Sequence, residues 1–273
     1  MSGKLYVVGT PIGNLGDMTP RAVEAMRAVD FIAAEDTRVT QKLLNRFDIK
    51  KHTVSYHRHS GEAVSEQITE RILAGESCAV VTDAGMPCIS DPGEDLVRLC
   101  AENGVEIVVV PGASAAVSAL AISGISTSRF AFEGFLSVNR KNRAEHFESV
   151  KNDRHTLVFY EAPHKLKNTL QDMLEALGDR KIALARELTK LHEEVIRTTL
   201  SGAIKLYEEK APRGEYVIVI EGAQAVKKIG LTFEEAVAMI KELAAGGQAL
   251  TAAAKEVAKE TGYKKSELYK AAL

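Results

Sequence analysis

The stretch Val81-Thr82-Asp83-Ala84-Gly85-Met86-Pro87-Cys88-Ile89-Ser90-Asp91-Pro92-Gly93 decides the fold of this chain. It follows the apolar run Cys78–Val81 and precedes a helix-like segment at 94–99. An apolar strand that breaks into Gly, Pro, Ser and Asp before a helix is typical of the carboxyl edge of an α/β sheet, where ligands bind. A plain turn with Asp91 as helix cap and Pro92 at the first helical position explains those two residues only.

Two further loops have the same character. The run Lys4–Val8 leads into Gly9-Thr10-Pro11-Ile12-Gly13-Asn14-Leu15-Gly16-Asp17, and the run 105–110 leads into Pro111-Gly112-Ala113-Ser114-Ala115. Glycine lets a backbone approach a ligand because it has no Cβ. The first loop lacks the glycine spacing of a dinucleotide-binding fingerprint, and it lacks the Gly-Lys-Ser/Thr of a P-loop. Three such loops on one sheet predict a crevice with a shared ligand.

The composition is that of a globular protein. The 273 residues are 45% hydrophobic and 26% charged, with a net charge of −2, which argues against indiscriminate coating of nucleic acid but allows a local basic patch. The three cysteines lack metal-ligand spacing, so we expect reduced thiols that are mostly buried. We find no signal peptide and no apolar run long enough for a bilayer, and we therefore predict a cytoplasmic protein with no membrane partner.

Strand-like and helix-like segments alternate through the first part of the chain. The predicted strands are 4–9, 30–34, 53–56, 78–81 and 105–110. The predicted helices are 20–28 (with Thr19 as N-cap), 40–47, 62–73, 92–103 and 114–123. Continuous apolar strands separated by amphipathic helices favour a mainly parallel sheet covered on both faces. We assign residues 1–115 to this first α/β domain.

A second α/β domain is predicted over residues 116–224. Its strands are expected at 130–135, 155–160, 181–186 and 216–221, and its helices at 143–150, 164–177 and 202–209. Partial alternation in two of these strands indicates antiparallel pairs. Loops from the two sheets would meet in a cleft between the domains.

The composition changes after a short linker at 223–230. Thr232-x-x-Glu235 is a capping box, and helices are predicted from there to 245, at 251–261 and at 264–272. The spacing of Ala258, Gly262 and Leu268 matches a helix-turn-helix, because Ala allows close helix crossing and Gly makes the turn. We assign 230–273 to this helical tail. The alternative is a helical hairpin for dimerisation or capping.

Six segments carry a resemblance to a known family. They lie at 8–17, 34–38 (Ala-Glu-Asp-Thr-Arg), 56–60 (Tyr-His-Arg-His-Ser), 82–93, 110–115 and 160–166 (Tyr-Glu-Ala-Pro-His-Lys-Leu). With them the chain resembles the class III S-adenosylmethionine-dependent methyltransferases of the tetrapyrrole-methylase fold. Within that family it is similar to the enzymes that methylate the ribose 2′-oxygen of cytidine 1402 in 16S rRNA of the small ribosomal subunit.

The resemblance implies a cofactor, a set of residues around it and an assembly state. The cofactor would be S-adenosyl-L-methionine, and the assembly a homodimer. The neighbours of the cofactor would be Ile12, Gly85, Met86, Ile89, Ser114, Ala115, Phe159, Tyr160 and Leu188. Arg58 is a departure, since the family commonly has Glu at that position, and a catalytic carboxylate there is not expected.

Methyl transfer from a sulfonium needs no metal, but a positioned base assists a weakly nucleophilic ribose hydroxyl. The candidate carboxylates are Asp83, Glu35, Asp36 and Glu187, and Arg38 is a candidate for holding a phosphate. For Asp83 the alternative is an Asx turn, and for residues 35–38 it is a helix cap with a salt bridge.

A basic loop is predicted at 137–143. Its Arg140, Lys141 and Arg143 are candidates for RNA phosphates, with a solvated surface as the alternative. His52, His57 and His59 lack a fourth ligand, so we predict no metal. His164 follows Pro163 at a helix start, where a capping role is expected.

Two other functions stay open on the sequence. A small-molecule tetrapyrrole C-methyltransferase fits the three loops but leaves the basic loop and the tail without a purpose. A non-enzymatic RNA- or DNA-binding regulator fits the tail but has no need of a loop-lined cleft.

Overall fold

A computed structural model describes residues 2–58, 60–224 and 231–273. The chain divides into two compact units, Met1–Ala223 and Gln224–Leu273. The first unit holds two sheets of five strands. The predicted division of this part at residues 115 and 116 stays a prediction.

The first sheet is parallel throughout. Its strands are β1 (Lys4–Val8), β2 (Phe31–Ala34), β3 (His52–Ser55), β4 (Cys78–Val81) and β5 (Glu106–Val110), in the order β3-β2-β4-β1-β5. The accompanying helices are α1 (Pro20–Ala28), α2 (Thr37–Arg46), α3 (Glu62–Leu73), α4 (Glu94–Glu102) and α5 (Ala115–Ile122), with a 3₁₀ turn at Leu15–Asp17. Alternate residues of the strands pack into two separate cores. The predicted parallel sheet covered on both faces is confirmed.

The second sheet is mixed. Its strands are β6 (Phe130–Phe135), β7 (Thr156–Glu161), β8 (Lys181–Arg186), β9 (Glu194–Thr199) and β10 (Tyr216–Ile220), in the order β6-β7-β10-β8-β9. Only the β6–β7 pair is parallel, so the predicted antiparallel pairs are confirmed. Its helices are α6 (Arg140–Val150), α7 (Leu166–Leu177) and α8 (Leu200–Glu209). Strand β9, a half-buried edge strand, is absent from the strands predicted from the sequence.

Helix α5 connects the two sheets. It follows β5 in the chain, yet Ala116, Ala119 and Leu120 pack with Val158 and Val217 of the second sheet. The small side chains allow this close packing. The loop after β5 is thereby held between the two sheets.

Helix α4 begins later than predicted, and Asp91 is not its cap. The N-cap is Gly93, with φ of +135° and no side-chain capping bond. Cys88 N donates to Pro92 O (3.2 Å), and Cys88 and Ser90 both have positive φ, so a tight turn keeps Asp91 outside the helix.

Two other helix starts differ from the prediction. Helix α2 begins at Thr37, because Asp36 accepts from Arg38 N and caps it. Helix α7 begins at Leu166 with Lys165 at the N-cap position and no side-chain capping bond, so the capping role expected of His164 is wrong. The three cysteine thiols are free, with Cys78 and Cys100 buried.

The second unit is helical. It consists of α9 (Phe233–Ala245), α10 (Leu250–Thr261) and α11 (Lys265–Ala272) around a small core with fully buried Ile240, Val257 and Leu268. The predicted capping box of Thr232 and Glu235 is present, and Gly262 ends α10 with φ of +82°. The predicted linker falls mostly on residues 225–230, outside the described residues. No helix within 2–58, 60–224 and 231–273 is long and apolar enough to cross a membrane.

Candidate active site

A cleft of about 300 Å³ lies where the strand-end loops of the first sheet face the second sheet. All but one of the predicted cofactor residues line it: Ile12, Gly85, Met86, Ile89, Ser114, Ala115, Tyr160 and Leu188. Three of the four predicted catalytic carboxylates line it as well: Glu35, Asp83 and Glu187. Residues far apart in the sequence are thus brought to one site.

The three glycine-bearing loops are held together by backbone contacts. Thr10 N donates to Gly85 O (2.9 Å) and Gly85 N donates to Thr10 O (3.1 Å), so the first two loops form a bridge. A Cβ on Gly9 would lie 2.7 Å from Gly112 Cα, so the first and third loops touch at a point where only glycine fits. The predicted crevice therefore depends on contacts between loops.

Tyr160 of the second sheet contacts the three connected loops of the first sheet through the start of α5. Its hydroxyl accepts from Ala116 N (3.1 Å) in the first turn of α5, and its ring lies 5.3 Å from that of Phe135. Phe135 is 58% exposed and lines the cleft, although no motif in the sequence singled it out. Ile89 is also exposed there. The cleft offers apolar and aromatic surface at its mouth.

Phe159 is the predicted cofactor residue whose side chain lies elsewhere. It is fully buried in the other core of the second sheet, 6.4 Å from the ring of Phe147. Successive side chains of a strand point to opposite faces, so Phe159 and Tyr160 of β7 cannot both face the cleft. The alternation of side chains along a strand, applied to the sequence, could have assigned these two residues to opposite faces.

Glu35 and Asp83 form a connected pair at the ends of β2 and β4. Glu35 Oε2 accepts from Thr82 Oγ1 (2.5 Å) and from Asp83 N (3.3 Å). Asp83 Oδ1 in turn accepts from Asp36 N (3.2 Å) at the end of the neighbouring strand. This bond replaces the Asx turn that was the alternative interpretation of Asp83. Burial and the nearby Glu35 raise the pKa of Asp83 above its usual value.

Asp36 is a helix cap with a salt bridge, which was the alternative interpretation of residues 35–38. It caps α2 by accepting from Arg38 N (2.8 Å), and its Oδ2 lies 2.6 Å from Arg38 Nη2. The bonds from Arg38 hold the pKa of Asp36 well below its usual range. Asp36 is outside the cleft lining, and we assign it no catalytic role. The Arg38 side chain remains 87% exposed.

Glu187 lies in the cleft wall but is already paired. Its Oε1 is 3.0 Å from Lys190 Nζ, and this hydrogen bond lowers the pKa of Glu187. Its backbone has φ of +50°, and the loop at Gly214 packs directly on its carboxylate. An ionised, paired carboxylate is a weak proton acceptor.

Asp91 is a cleft residue that the sequence did not single out, because the capping rule already accounted for it. The turn at Cys88–Ser90 places it in the cleft lining, partly buried. Burial, with Glu35 next, raises the pKa of Asp91 to about 6, and Arg58 opposes the shift. Arg58 is held by a bond from Nη2 to Ser90 O (2.6 Å).

The predicted basic loop is partly helical. Asn139 caps α6 by accepting from Lys141 N (2.9 Å), so Arg140, Lys141 and Arg143 occupy its first turn. Arg143 Nε donates to Asp172 Oδ2 (2.7 Å), and its side chain is 17% exposed. The phosphate role predicted for Arg143 is therefore disfavoured, whereas Arg140 and Lys141 are exposed.

The histidines form no metal site in the described part of the chain. His52 is exposed on β3, and His59 is outside the described residues. Among the residues that the structure describes, no group of three or more His, Cys, Asp or Glu side chains could hold a metal ion.

Residues 4–204 match the family model described as Tetrapyrrole (Corrin/Porphyrin) Methylases. Three curated relatives share the name Ribosomal RNA small subunit methyltransferase I. The relative from Synechocystis sp. is 44% identical over 99% of this chain and 98% of its own length. The relative from Thermotoga maritima is 47% identical over 81% of this chain and 100% of its own. The relative from Bacillus subtilis is 48% identical over 81% of this chain and 76% of its own.

Solved structures with the same fold are more distant in sequence. The methyltransferase CobJ superposes with a TM-score of 0.62 at 21% identity, over 84% of this chain and 98% of that one. Uroporphyrin-III C-methyltransferase from Thermus thermophilus, complexed with S-adenyl homocysteine, gives a TM-score of 0.55 at 16% identity, over 80% and 97%. These likenesses establish the fold.

Proposed function

The chain belongs to the tetrapyrrole methylase family and, within it, to the proteins named ribosomal RNA small subunit methyltransferase I, and from that premise we propose its substrate. It is a methyltransferase with S-adenosylmethionine as methyl donor. We propose that the acceptor is the ribose 2′-oxygen of a cytidine in 16S rRNA, cytidine 1402. The observation that carries the proposal is the Glu35–Asp83 pair in a cleft whose lining suits this cofactor.

The apolar surface and the negative charge of the cleft lining support this cofactor. Ile12, Met86 and Leu188 offer apolar surface for an adenine ring, and Ser114 and Ala115 stand at the start of α5. The lining has more carboxylates than cations, which suits a molecule with a sulfonium and an ammonium group. When bound, the cofactor supplies an electrophilic methyl group.

Asp83 is the best-placed general base of the candidate carboxylates. It lines the cleft, it is oriented by the backbone N–H of Asp36, and its pKa is raised toward the range in which a carboxylate accepts a proton effectively. Glu35 orients it through the backbone of Asp83 and adds the negative charge that raises its pKa. In this assignment Asp83 takes the proton of the ribose hydroxyl, and Glu35 is a positioning residue.

The RNA must present an exposed ribose to this site. A nucleotide inside a helix cannot reach a donor in a cleft, so the target nucleotide is displaced from stacking before methylation. The exposed Arg140 and Lys141 follow β6, whose last residue Phe135 lines the cleft. They are therefore candidates for phosphate contact near the entrance.

The function is tested by methyl incorporation from labelled cofactor. Small ribosomal subunits from cells that lack this modification are one acceptor, and a tetrapyrrole precursor is the other. We expect label in the rRNA only, recovered as a 2′-O-methylated cytidine after nuclease digestion. Label in the tetrapyrrole would favour the small-molecule methyltransferase. Nucleic-acid binding without any label would favour the non-enzymatic regulator.

Asp91→Asn is expected to have opposite effects on cofactor binding and on stability. Loss of a charged partner in the cleft should weaken binding of S-adenosylmethionine by about 10–100-fold, measured by calorimetry at pH 8. Affinity of the unchanged protein should fall as the pH drops through about 6, where Asp91 becomes protonated, and the variant should lack this dependence.

The stability of the cofactor-free protein should change in the other direction. Because the pKa of Asp91 is higher in the folded chain than its ordinary value, the folded state binds more protons, and its stability falls as the pH rises through about 6. Asp91→Asn should therefore raise the Tm at pH 8 and have no such advantage at pH 4. A lower Tm at pH 8 would contradict the assignment.

We also propose a homodimer. Val117 and Ile122 of α5 are 55% and 39% exposed, and Val109 of β5 is 57% exposed. Val117→Arg should shift the sedimentation coefficient from dimer to monomer, whereas Val138→Arg, at a side chain that is 76% exposed, should not. An unchanged protein that sediments as a monomer at micromolar concentration would refute the dimer.

The helical tail is proposed to dock on the ribosomal particle. The residues that line the cleft lie between Ile12 and Val217, before the second unit begins at Gln224. Deleting 226–273 should therefore raise KM for small subunits and leave cofactor affinity unchanged. Wild-type kinetics would contradict the docking role. With the ribosome as substrate, we propose a cytoplasmic location.

A further inference from the structure

A second cavity of about 310 Å³ adjoins the cleft and has the opposite electrostatic character. Its lining is Arg186, Lys210, Ala211, Arg213 and Tyr216. Tyr216 also lines the cleft, and Arg186 stands between two cleft residues in the chain. The two spaces share Tyr216 at this end of the sheet, and the Arg186 side chain lies on the face opposite to that of its neighbours Ala185 and Glu187.

Three cations line this cavity, and the carboxylate that pairs with two of them, Glu194, is outside the lining. Glu194 Oε2 is 2.6 Å from Arg186 Nε and 3.7 Å from Lys210 Nζ, so a single carboxylate serves two cations. In the described parts of the chain, the Arg213 guanidinium has no hydrogen bond or ion pair. Three cations and one carboxylate leave the cavity with a net positive charge. The ion pair with Glu194 fixes the position of the Arg186 side chain.

The loop that carries the free cation is held in place. Arg213 N donates to the Tyr216 hydroxyl (3.2 Å), and that hydroxyl also accepts from the Tyr207 hydroxyl (3.2 Å). Gly214 has φ of +73°, and a Cβ there would lie 2.5 Å from Glu187 Oε1. The backbone that positions Arg213 is thus locked to the buried Tyr207–Tyr216 pair on one side and to the cleft wall on the other.

The charge contrast matters for a polyanionic substrate. Asp83, Asp91 and Glu215 line the cleft, so its field repels phosphate. Neutralising the phosphates that flank the ribose outside this cleft would therefore favour its entry. The cavity at Arg213 is a basic recess next to the acidic wall.

We propose that the cavity at Arg186, Lys210 and Arg213 binds a backbone phosphate of the RNA strand next to the methylated nucleotide. This inference rests on the proposed function. Arg213 supplies the planar fork that suits phosphate oxygens, Lys210 supplies a flexible point charge, and Arg186 stays paired with Glu194 and supports both.

The test compares Lys210→Ala/Arg213→Ala with a control that loses the same charges elsewhere. Arg46→Ala/Lys50→Ala removes one Arg and one Lys from exposed positions at the end of α2 and just beyond it, outside both cavities. The substrate is the small ribosomal subunit that lacks the modification. We expect the cavity variant to raise KM by about 10-fold and to reduce the slope of log affinity against log salt by about 1.

A charge-preserving variant and a cofactor measurement separate phosphate binding from a loss of structure. Lys210→Arg/Arg213→Lys should restore the salt slope of the unchanged protein and a part of its affinity for the subunit, because both charges remain while the fork at position 213 is lost. Calorimetry with S-adenosylmethionine should give the same Kd for the unchanged protein, the cavity variant and the control.

The outcomes are distinguishable from failure of the proposed function. If the unchanged protein methylates the subunit and the cavity variant has the KM and salt slope of the control, the phosphate site is refuted and the function stands. If the charge-preserving variant is as poor as the double alanine, the effect is structural and the phosphate site is also refuted. If the unchanged protein does not methylate the subunit, both proposals fail together.

Discussion

Asp83→Asn is expected to slow methyl transfer to the small subunit by about 10²–10⁴-fold at saturating cofactor, the range that a positioned general base supplies. The amide keeps the size of the side chain and can still accept from Asp36 N, so the loop should keep its shape. Only the ability to take the proton of the ribose hydroxyl is removed. The measurement is single-turnover methyl incorporation.

The pH dependence gives a second test of the same role. A base must be deprotonated, so the rate of the unchanged protein should rise with pH until Asp83 is ionised and then level off. Because burial and Glu35 raise the pKa of Asp83, this rise should lie above the pH at which an ordinary aspartate titrates. The variant should lack it.

Glu187→Gln is the matched control for Asp83→Asn. It also removes one negative charge from the cleft lining by an isosteric change, but Glu187 is paired with Lys190 and its pKa is lowered. We expect a change in rate of about 10-fold or less, below the range for a general base. Equal losses in the two variants would show that Asp83 acts through the charge of the cleft and not as a base.

Gly85→Val is expected to weaken binding of S-adenosylmethionine by about 100-fold or more, since backbone strain at positive φ and branched methyl groups in the cleft act together. Gly85 has φ of +92°, which a β-branched residue strongly disfavours, and its backbone forms both bonds of the bridge to Thr10. Its Cβ would lie 3.4 Å from Ile12 Cγ2, another residue of the cleft lining.

The control for Gly85→Val is a glycine with similar backbone but no ligand role. Gly104 has φ of +68° and is exposed between α4 and β5, and a Cβ added there would meet no atom within 4 Å. Gly104→Val should therefore lower the Tm by strain alone and leave cofactor affinity unchanged. Circular dichroism checks that both variants are folded. Unchanged affinity in Gly85→Val would place the cofactor elsewhere.

The architecture of both sheets could be predicted because its signals are local. Apolar runs such as Cys78–Val81 are short and bounded by turn residues, and Thr19 and Thr232 cap the helices that follow them. The edge strand Glu194–Thr199 was missed because it is half-buried and lacks a continuous apolar run. The local sequence pattern therefore identifies a strand when both faces of the strand are buried and all its residues are apolar.

The candidate site was predicted as a set of loops, but the roles within it depend on distant partners. Arg143 belongs to a basic run in the sequence, yet it forms an ion pair with Asp172 on another helix. Asp36 and Asp83 look alike as strand-end carboxylates, but Arg38 lowers the pKa of one, whereas burial and Glu35 raise that of the other. Phe159 and Tyr160 are adjacent and face opposite cores.

By itself, the sequence determined most of the two α/β sheets and the three glycine-bearing loops, because strand periodicity, turn chemistry and helix caps act within a few residues of the chain. The resemblance to the family was carried by six short motifs. Only the tertiary structure decided that Asp91 lies in the cleft, that Asp36 serves a helix cap, and that a basic cavity adjoins an acidic cleft at Tyr216. These properties arise from desolvation and from charges that the fold brings together across long separations in the chain. Such interactions have no counterpart in local pattern, because their strength depends on distance and burial in three dimensions.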